Sequence, residues 1–254
     1  MFSKLNSISI DRIGITGNIE VPINLQRLMV PLSSSGFKLG SSIHSAYCAP
    51  LGNGRWRLDF NPNNVDSIEI LLLFLQRMYC KKISRLDIAF DIYNDPNFFS
   101  YSYLQSGMTQ NIYSKSGKLQ TIYYGSRKSD KFIRQYDKKA EQHSKGIDVD
   151  YAFWGRLEIQ YRHRFVADWF SSTSEILNKI EYVDYSNLPY TERALIYSIK
   201  NNIVCWGELS APTRLKYKKI ISNNNNGFTL KKDLAVLLNS KHYSIQRQID
   251  RYLI

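Results

Sequence analysis

The spacing of apolar and polar residues predicts strands in the first two thirds of the chain and helices in the last. Around residues 5 to 19, apolar side chains recur at Ile8, Ile10, Ile13 and Ile15 and stop at Thr16, Gly17 and Asn18, which predicts a first strand. Pro22 opens a short helix toward Val30, and the Ser- and Gly-rich stretch from Pro31 to Pro50 reads as loops and edge strands. RWRLDF, Arg55 to Phe60, is a strand stopped by NPNN; Asp66 to Tyr79 is a helix apolar enough to pack on a sheet. Ser84 to Ile92 alternates strictly, with Leu86, Ile88 and Phe90 on one face and Arg85, Asp87, Ala89 and Asp91 on the other.

From Asn94 to Gly117 the pattern assigns no element. TIYY and FIRQY then flank GSRKSD, so Thr121 to Lys139 reads as a hairpin with Arg134, Tyr136 and Lys138 on one face. Gln142 to Asp150 is polar loop, and Phe153 to Arg162 is a strand that brings Arg156, Glu158, Gln160 and Arg162 together. Helices are expected over Glu192 to Val204, from Pro212 with a basic face, and over Leu230 to Leu238 and Tyr243 to Leu253, with the run Asn223 to Gly227 as a break. The sum is an α+β fold with a mainly antiparallel sheet, a first domain over 1–185 and a helical region over 186–254 packed on it.

Charge narrows the function classes. The chain carries 34 Lys+Arg against 22 Asp+Glu, a net +12, which favours a polyanionic partner. Nine basic and three acidic residues lie between Lys115 and Lys145, and the same numbers recur between Asn201 and Ile254, so two short regions hold a sum equal to the whole excess. Cys48, Cys80 and Cys205 are widely separated, which argues against a zinc site or a disulfide framework. No signal-peptide core or membrane-length apolar run is evident, so a soluble cytoplasmic protein without membrane contact is expected. A phosphate-binding GxxxxGK[ST] loop, a His-x-His pair and a nucleophile elbow are absent.

One tetrapeptide occurs in three variants: Arg57-Leu58-Asp59-Phe60, Arg85-Leu86-Asp87-Ile88 and Arg156-Leu157-Glu158-Ile159. If these strands are neighbours, Asp59, Asp87, Asp91 and Glu158 converge on one sheet face. They would then serve either as cross-strand partners of the arginines or as oxygen ligands for Mg²⁺ or Mn²⁺. Tyr136 lies between Arg134 and Lys138, an arrangement suited to a phosphodiester, with the cations favouring the phenolate.

The segments RLDFNPN, SRLDIAFD, YYGSRKSDKFIRQYDKKAEQ, RLEI and WGELSAPTRLKYKKII, in this order over roughly residues 7 to 221, resemble the Rep_trans family of replication initiators of small rolling-circle plasmids of Gram-positive bacteria. The resemblance implies that the first domain nicks and rejoins origin DNA. Tyr136 would attack the scissile phosphate, Arg134 would assist, and a 5′-phosphotyrosine and a 3′-OH primer would result. It also implies a divalent metal, Mg²⁺ or Mn²⁺, on Asp87 and Glu158 with Asp59 and Asp91. DNA contacts would come from Arg127, Lys138 and Lys139 and, in the origin-recognition region, from Thr213, Arg214, Lys216, Lys218 and Lys219. The implied partners are double-stranded origin DNA with its nick site in single-stranded or cruciform form, a second copy in a homodimer, and the host helicase and polymerase. Gln160 stands where a second acid is common in the family, and Ala211-Pro212 replaces a polar, basic pair. A non-catalytic origin or operator binder with the same fold is the alternative.

Overall fold

The computed structural model describes the chain except residues 1–5, 33–35, 41–45, 66–67, 94, 104–106, 183–184, 186, 201–202 and 224–227. Of the expected break from Asn223 to Gly227, residues 224–227 lie outside the described residues, as do His44 and residue 186, where the C-terminal region was expected to begin.

The first half comprises β1 (Ser7–Asn18), α1 (Ile23–Gln26), β2 (Met29–Pro31), β3 (Phe37–Leu39), β4 (Ala46–Gly52), β5 (Arg55–Phe60), α2 (Ile68–Arg77) and β6 (Tyr79–Tyr93). There follow β7 (Tyr101–Tyr103), β8 (Thr109–Tyr113), β9 (Leu119–Tyr124), β10 (Lys131–Asp137), α3 (Lys138–Ser144) and β11 (Trp154–Arg162). The remainder is α4 (Arg164–Ala167), α5 (Trp169–Asn178), β12 (Ile180–Tyr182), α6 (Tyr190–Lys200), α7 (Ala211–Asn223) and α8 (Phe228–Arg251). Ten strands form one sheet in the order β2-β3-β4-β5-β1-β6-β11-β10-β9-β8, while β12 and β7 pair separately. All the pairings in the large sheet are antiparallel, in keeping with the expected class.

The alternation in the central strands fixes which face is dry. Ile10, Ile13, Leu86, Ile88, Phe90, Leu157 and Ile159 are buried on one side and meet Leu230, Leu234, Leu238, Ile245 and Ile249 of α8 in a single core. Fully burying one such side chain stabilises by roughly 1.5–3 kcal/mol, so this face orients the whole sheet. The other face is left with Arg85, Asp87, Asp91, Arg156, Glu158, Arg134 and Tyr136. A second, smaller core of Ile196, Ile199 and Tyr217 joins α6 to α7.

Three expectations change. The helices over 230–238 and 243–253 are one, α8. The polar residues between them do not break it, because Asn239 Nδ2 donates to Ala235 O at 2.9 Å and Ser240 Oγ to Leu237 O at 2.9 Å, bonds a continuing helix accommodates. The expected loop from Gln142 is partly α3, whose N-terminus is capped by Asp137 accepting from Ala140 N at 2.8 Å. Helix α5 and strands β7 and β8 had no assigned counterpart.

Gly155 opens β11 against Phe98. A Cβ there would lie 2.5 Å from Phe98 Cδ1, and the Phe98 carbonyl is itself fixed by Gln135 Nε2 at 2.6 Å. Gly155→Ala is therefore expected to lower stability by about 1–3 kcal/mol through overpacking, read from the denaturant midpoint.

Candidate active site

Strand register builds the polar face. Tyr136 stands opposite Arg156 and Arg134 opposite Glu158 across β10 and β11, while Arg156 faces Asp91 and Gln160 faces Asp87 across β11 and β6. Cations and carboxylates therefore alternate across the ladder. The expectation that the three tetrapeptide strands are neighbours holds only for β6 and β11. Strand β1 separates β5 from β6, and Asp59 lies opposite Gly14.

Each carboxylate has an arginine. Arg85 grips Asp87 through Nε at 2.8 Å and Nη2 at 2.5 Å, and Arg156 grips Asp91 at 2.8 and 2.9 Å. Arg57 Nε lies 2.8 Å from Asp59 Oδ2. The Arg134 guanidinium contacts Glu158 and stands 3.9 Å from Asp87, placing a fixed cation between these two acids. Burial raises the Asp87 carboxyl above its usual range, against the opposing pull of Arg85 and Arg134.

The implied divalent metal would need several oxygen donors free on this face. Among the described residues no three His, Cys, Asp or Glu side chains come together as a metal site, and the carboxylates are occupied by guanidinium groups. Hard cations need several oxygen ligands together, so the residues as arranged do not fit the ion.

Tyr136 is half-buried, and its Oη donates to Glu158 Oε2 at 3.4 Å. Lys138, the first residue of α3, lies with Nζ 5.7 Å from the ring centroid and 2.5 Å from Glu141 Oε2. The cations do not favour the phenolate overall. Burial pushes the phenol well above its ordinary value, Arg156 and Arg134 pull it down, and Glu141 and Asp11 push it further up. The Lys138 ammonium is shifted down, first by burial and then by Arg156.

Arg134, Tyr136 and Glu141 line two cavities. One, of 310 Å³, is also bounded by Thr121 and Tyr123; the other, of 820 Å³, by Asp11, Asn63, Trp154 and Arg156. Asp11 was missed by motif reading. It accepts from Arg156 Nη1 at 2.6 Å, and its signal is the odd spacing of Ile10 and Ile13 in β1, where the register with β6 shifts. Trp154 and Glu141 carried no comparable signal.

The remaining predicted DNA contacts are dispersed. Arg127 is exposed over the Tyr123 ring at 5.4 Å, and Lys139 Nζ contacts the Tyr151 carbonyl. On α7, Thr213 and Arg214 are half-buried, with Arg214 Nη2 donating to Leu209 O at 3.1 Å. Lys216 pairs with Glu192 at 2.6 Å, Lys218 lies 5.6 Å from the Trp206 ring, and Lys219 is exposed. The five on α7 are remote in sequence from the Tyr136 face and share their helix with Tyr217 of the smaller core.

Comparison with known proteins agrees with the motifs. Residues 81–176 match the model of a family described as replication initiation factor, which bears out the resemblance. A replication initiation protein of Staphylococcus aureus is 30% identical over 200 residues, covering 76% of this chain and 62% of that protein. A second from the same organism is 30% identical over 202 residues with the same coverage. The chain thus spans about three fifths of the length of these relatives. A solved structure titled rolling circle replication initiator protein from Geobacillus stearothermophilus aligns with TM-score 0.46 and 15% identity, over 73% of this chain and 89% of that one.

Proposed function

We propose, from a chain whose residues 81–176 carry the replication initiation factor signature, that this protein initiates rolling-circle replication by nicking and rejoining origin DNA through Tyr136. The observation that carries the reading is the placement of a phenol at the wall shared by two open cavities, with Arg134 beside it and Lys138 against its ring.

In the proposed reaction the Tyr136 oxygen attacks phosphorus, the new O–P bond forms as the bond to O3′ breaks, and a 5′-phosphotyrosine and a free 3′-OH remain. Glu158, the hydrogen-bond acceptor of the phenol, is placed to receive the proton, and water protonates the departing oxygen. Arg134 faces both cavities and supplies positive charge for the non-bridging oxygens. Because one phosphodiester is exchanged for another, the reverse step reseals the strand without ATP. The Mg²⁺ or Mn²⁺ expected from the resemblance finds no three-donor cluster among the described residues.

Origin DNA is the partner that this reading requires; the homodimer, helicase and polymerase expected from the resemblance belong to the same proposal. A second reading, a non-catalytic origin binder, draws support from the arginine pairing of the carboxylates, which removes the repulsion a bare acidic face would impose on DNA. Incubating supercoiled origin plasmid with the protein separates the two. Open circles with protein linked to the 5′ end support the nickase, and retardation without nicking supports the binder.

Lys219→Ala is expected to weaken binding to origin and unrelated duplexes alike and to reduce the salt slope of log K by about one, as for loss of a phosphate contact. A selective loss on origin DNA, measured by anisotropy across a salt series, would instead assign Lys219 to base recognition. No helix among the described residues is long and apolar enough to cross a membrane.

A further inference from the structure

Lys138 is not placed as a surface phosphate contact. A lysine that only holds a DNA backbone reaches it from solvent, whereas Lys138 is 8% exposed and is the one lysine buried among the described residues. It nonetheless lines the larger cavity, with Nζ 5.7 Å from the centre of the Tyr136 ring.

Its partner is shared. Positions 138, 141 and 145 fall on one face of α3, and Glu141 stands between two ammonium groups. Lys138 Nζ donates to Glu141 Oε2 at 2.5 Å, and Lys145 Nζ donates to Glu141 Oε1. Lys145 is exposed and lies about 10 Å further along the helix axis. The three groups run in file from solvent to the Tyr136 side of the cavity. An ion-pair ladder on a solvated helix face would leave both lysines in water; here the inner one is desolvated.

The proposed nicking reaction moves two protons. Glu158 receives one from the phenol, and the departing O3′ has to gain the other. Arg12, Arg134 and Arg156 line the larger cavity, but a guanidinium holds its proton too firmly to release it near neutral pH. A desolvated lysine releases its proton more readily, and burial followed by Arg156 moves the Lys138 ammonium in that direction.

We propose that Lys138 is the source of the proton that O3′ receives on nicking, passed on by one water in the larger cavity, and that it takes a proton back on rejoining. The assignment rests on the reading of Tyr136 as the nucleophile and adds the acid for its leaving group. As the P–O3′ bond breaks, an N–H proton of Lys138 moves to the water and a proton of that water moves to O3′, leaving a neutral amine and a 3′-OH. Glu141 holds the amine in place and links it through Lys145 to solvent, from which it is recharged.

The test replaces O3′ of the scissile linkage by sulfur in an oligonucleotide carrying the origin nick site, because a thiolate departs without a proton. In single-turnover nicking by the full chain, Lys138→Ala is expected to cut the oxygen substrate about 10²-fold more slowly or worse and the sulfur substrate at close to the unaltered rate. Lys138→Arg keeps the charge without the acidity and is expected to behave as the alanine variant does. Full nicking of the oxygen substrate by either variant, or an equal loss on both substrates by folded variants, overturns the proposal. A second measurement needs no variant. With the unaltered chain, the rate on oxygen is expected to fall relative to the rate on sulfur as pH rises through the lowered Lys138 range, since the acid is then lost. Tyr136, Glu141, Arg156 and Asp11, which surround the ammonium, act on both substrates alike and cancel in the ratio. A ratio that stays constant from about pH 6 to 10 overturns the assignment while leaving the nickase reading in place. If the unaltered chain cuts neither substrate and forms no 5′-linked adduct, the nickase reading falls and this assignment with it.

Discussion

Replacing Tyr136 by phenylalanine is expected to lower nicking of origin DNA by on the order of 10³-fold or more and to eliminate the covalent adduct, with the fold intact. The substitution removes one oxygen. The hydrogen bond that oxygen makes, to Glu158 at 3.4 Å, is long, and Glu158 keeps Arg134 as a partner, so no buried charge is left alone. The ring remains against Lys138. Thermal melting and affinity for origin DNA should therefore stay close to those of the unaltered chain, while open circles and protein-linked 5′ ends disappear. Nicking at the original rate would mean that another group attacks. Tyr123, the other phenol at the smaller cavity, would be the first to examine.

Arg156→Ala is expected to cost about 3–5 kcal/mol of stability, on the order of 10 °C in melting temperature for a chain of this size. This guanidinium is held by Asp91 on one side and Asp11 on the other, with its side chain only 11% exposed. Its removal leaves Asp91 buried, and Asp11 at the wall of the larger cavity, without this cation, and the penalty is the desolvation of Asp91 more than any lost attraction. Arg156→Met combined with Asp91→Asn should recover part of the loss, because the second change removes one of the stranded charges. The check is a double-mutant cycle by denaturant unfolding, and additive effects would show that the pair is not coupled. Activity should fall too, since Arg156 opposes the burial that holds the Tyr136 phenol protonated.

The central strands were legible because each buries a complete apolar face, which makes a period of two conspicuous. Leu86, Ile88 and Phe90 sit where alternation puts them, and Arg85, Asp87 and Asp91 lie opposite. Strand order was not legible, as nothing local in RWRLDF states that β1 lies between it and β6. The same blindness misplaced Asp59 relative to Asp87. Helix α3 was hidden because its sequence is polar and its start depends on one capping side chain, Asp137. Within the candidate site, the hairpin motif singled out Tyr136 and Arg134. The electrostatic balance around the phenol could not be read, since burial outweighs the neighbouring cations and burial is a property of the whole fold.

The register shift in β1 leaves Asp11 as an extra residue between Ile10, which pairs with Ile88, and Arg12, which pairs with Asp87. Delete Asp11 and Ile10, Arg12 and Ile13 fall into plain alternation, with both isoleucines still facing the core. The sheet would thus close more regularly without this residue, and what would be lost is a carboxylate on Arg156 and one wall of the larger cavity. Asp11 thus costs β1 its regular pairing with β6 and gives the larger cavity a carboxylate wall.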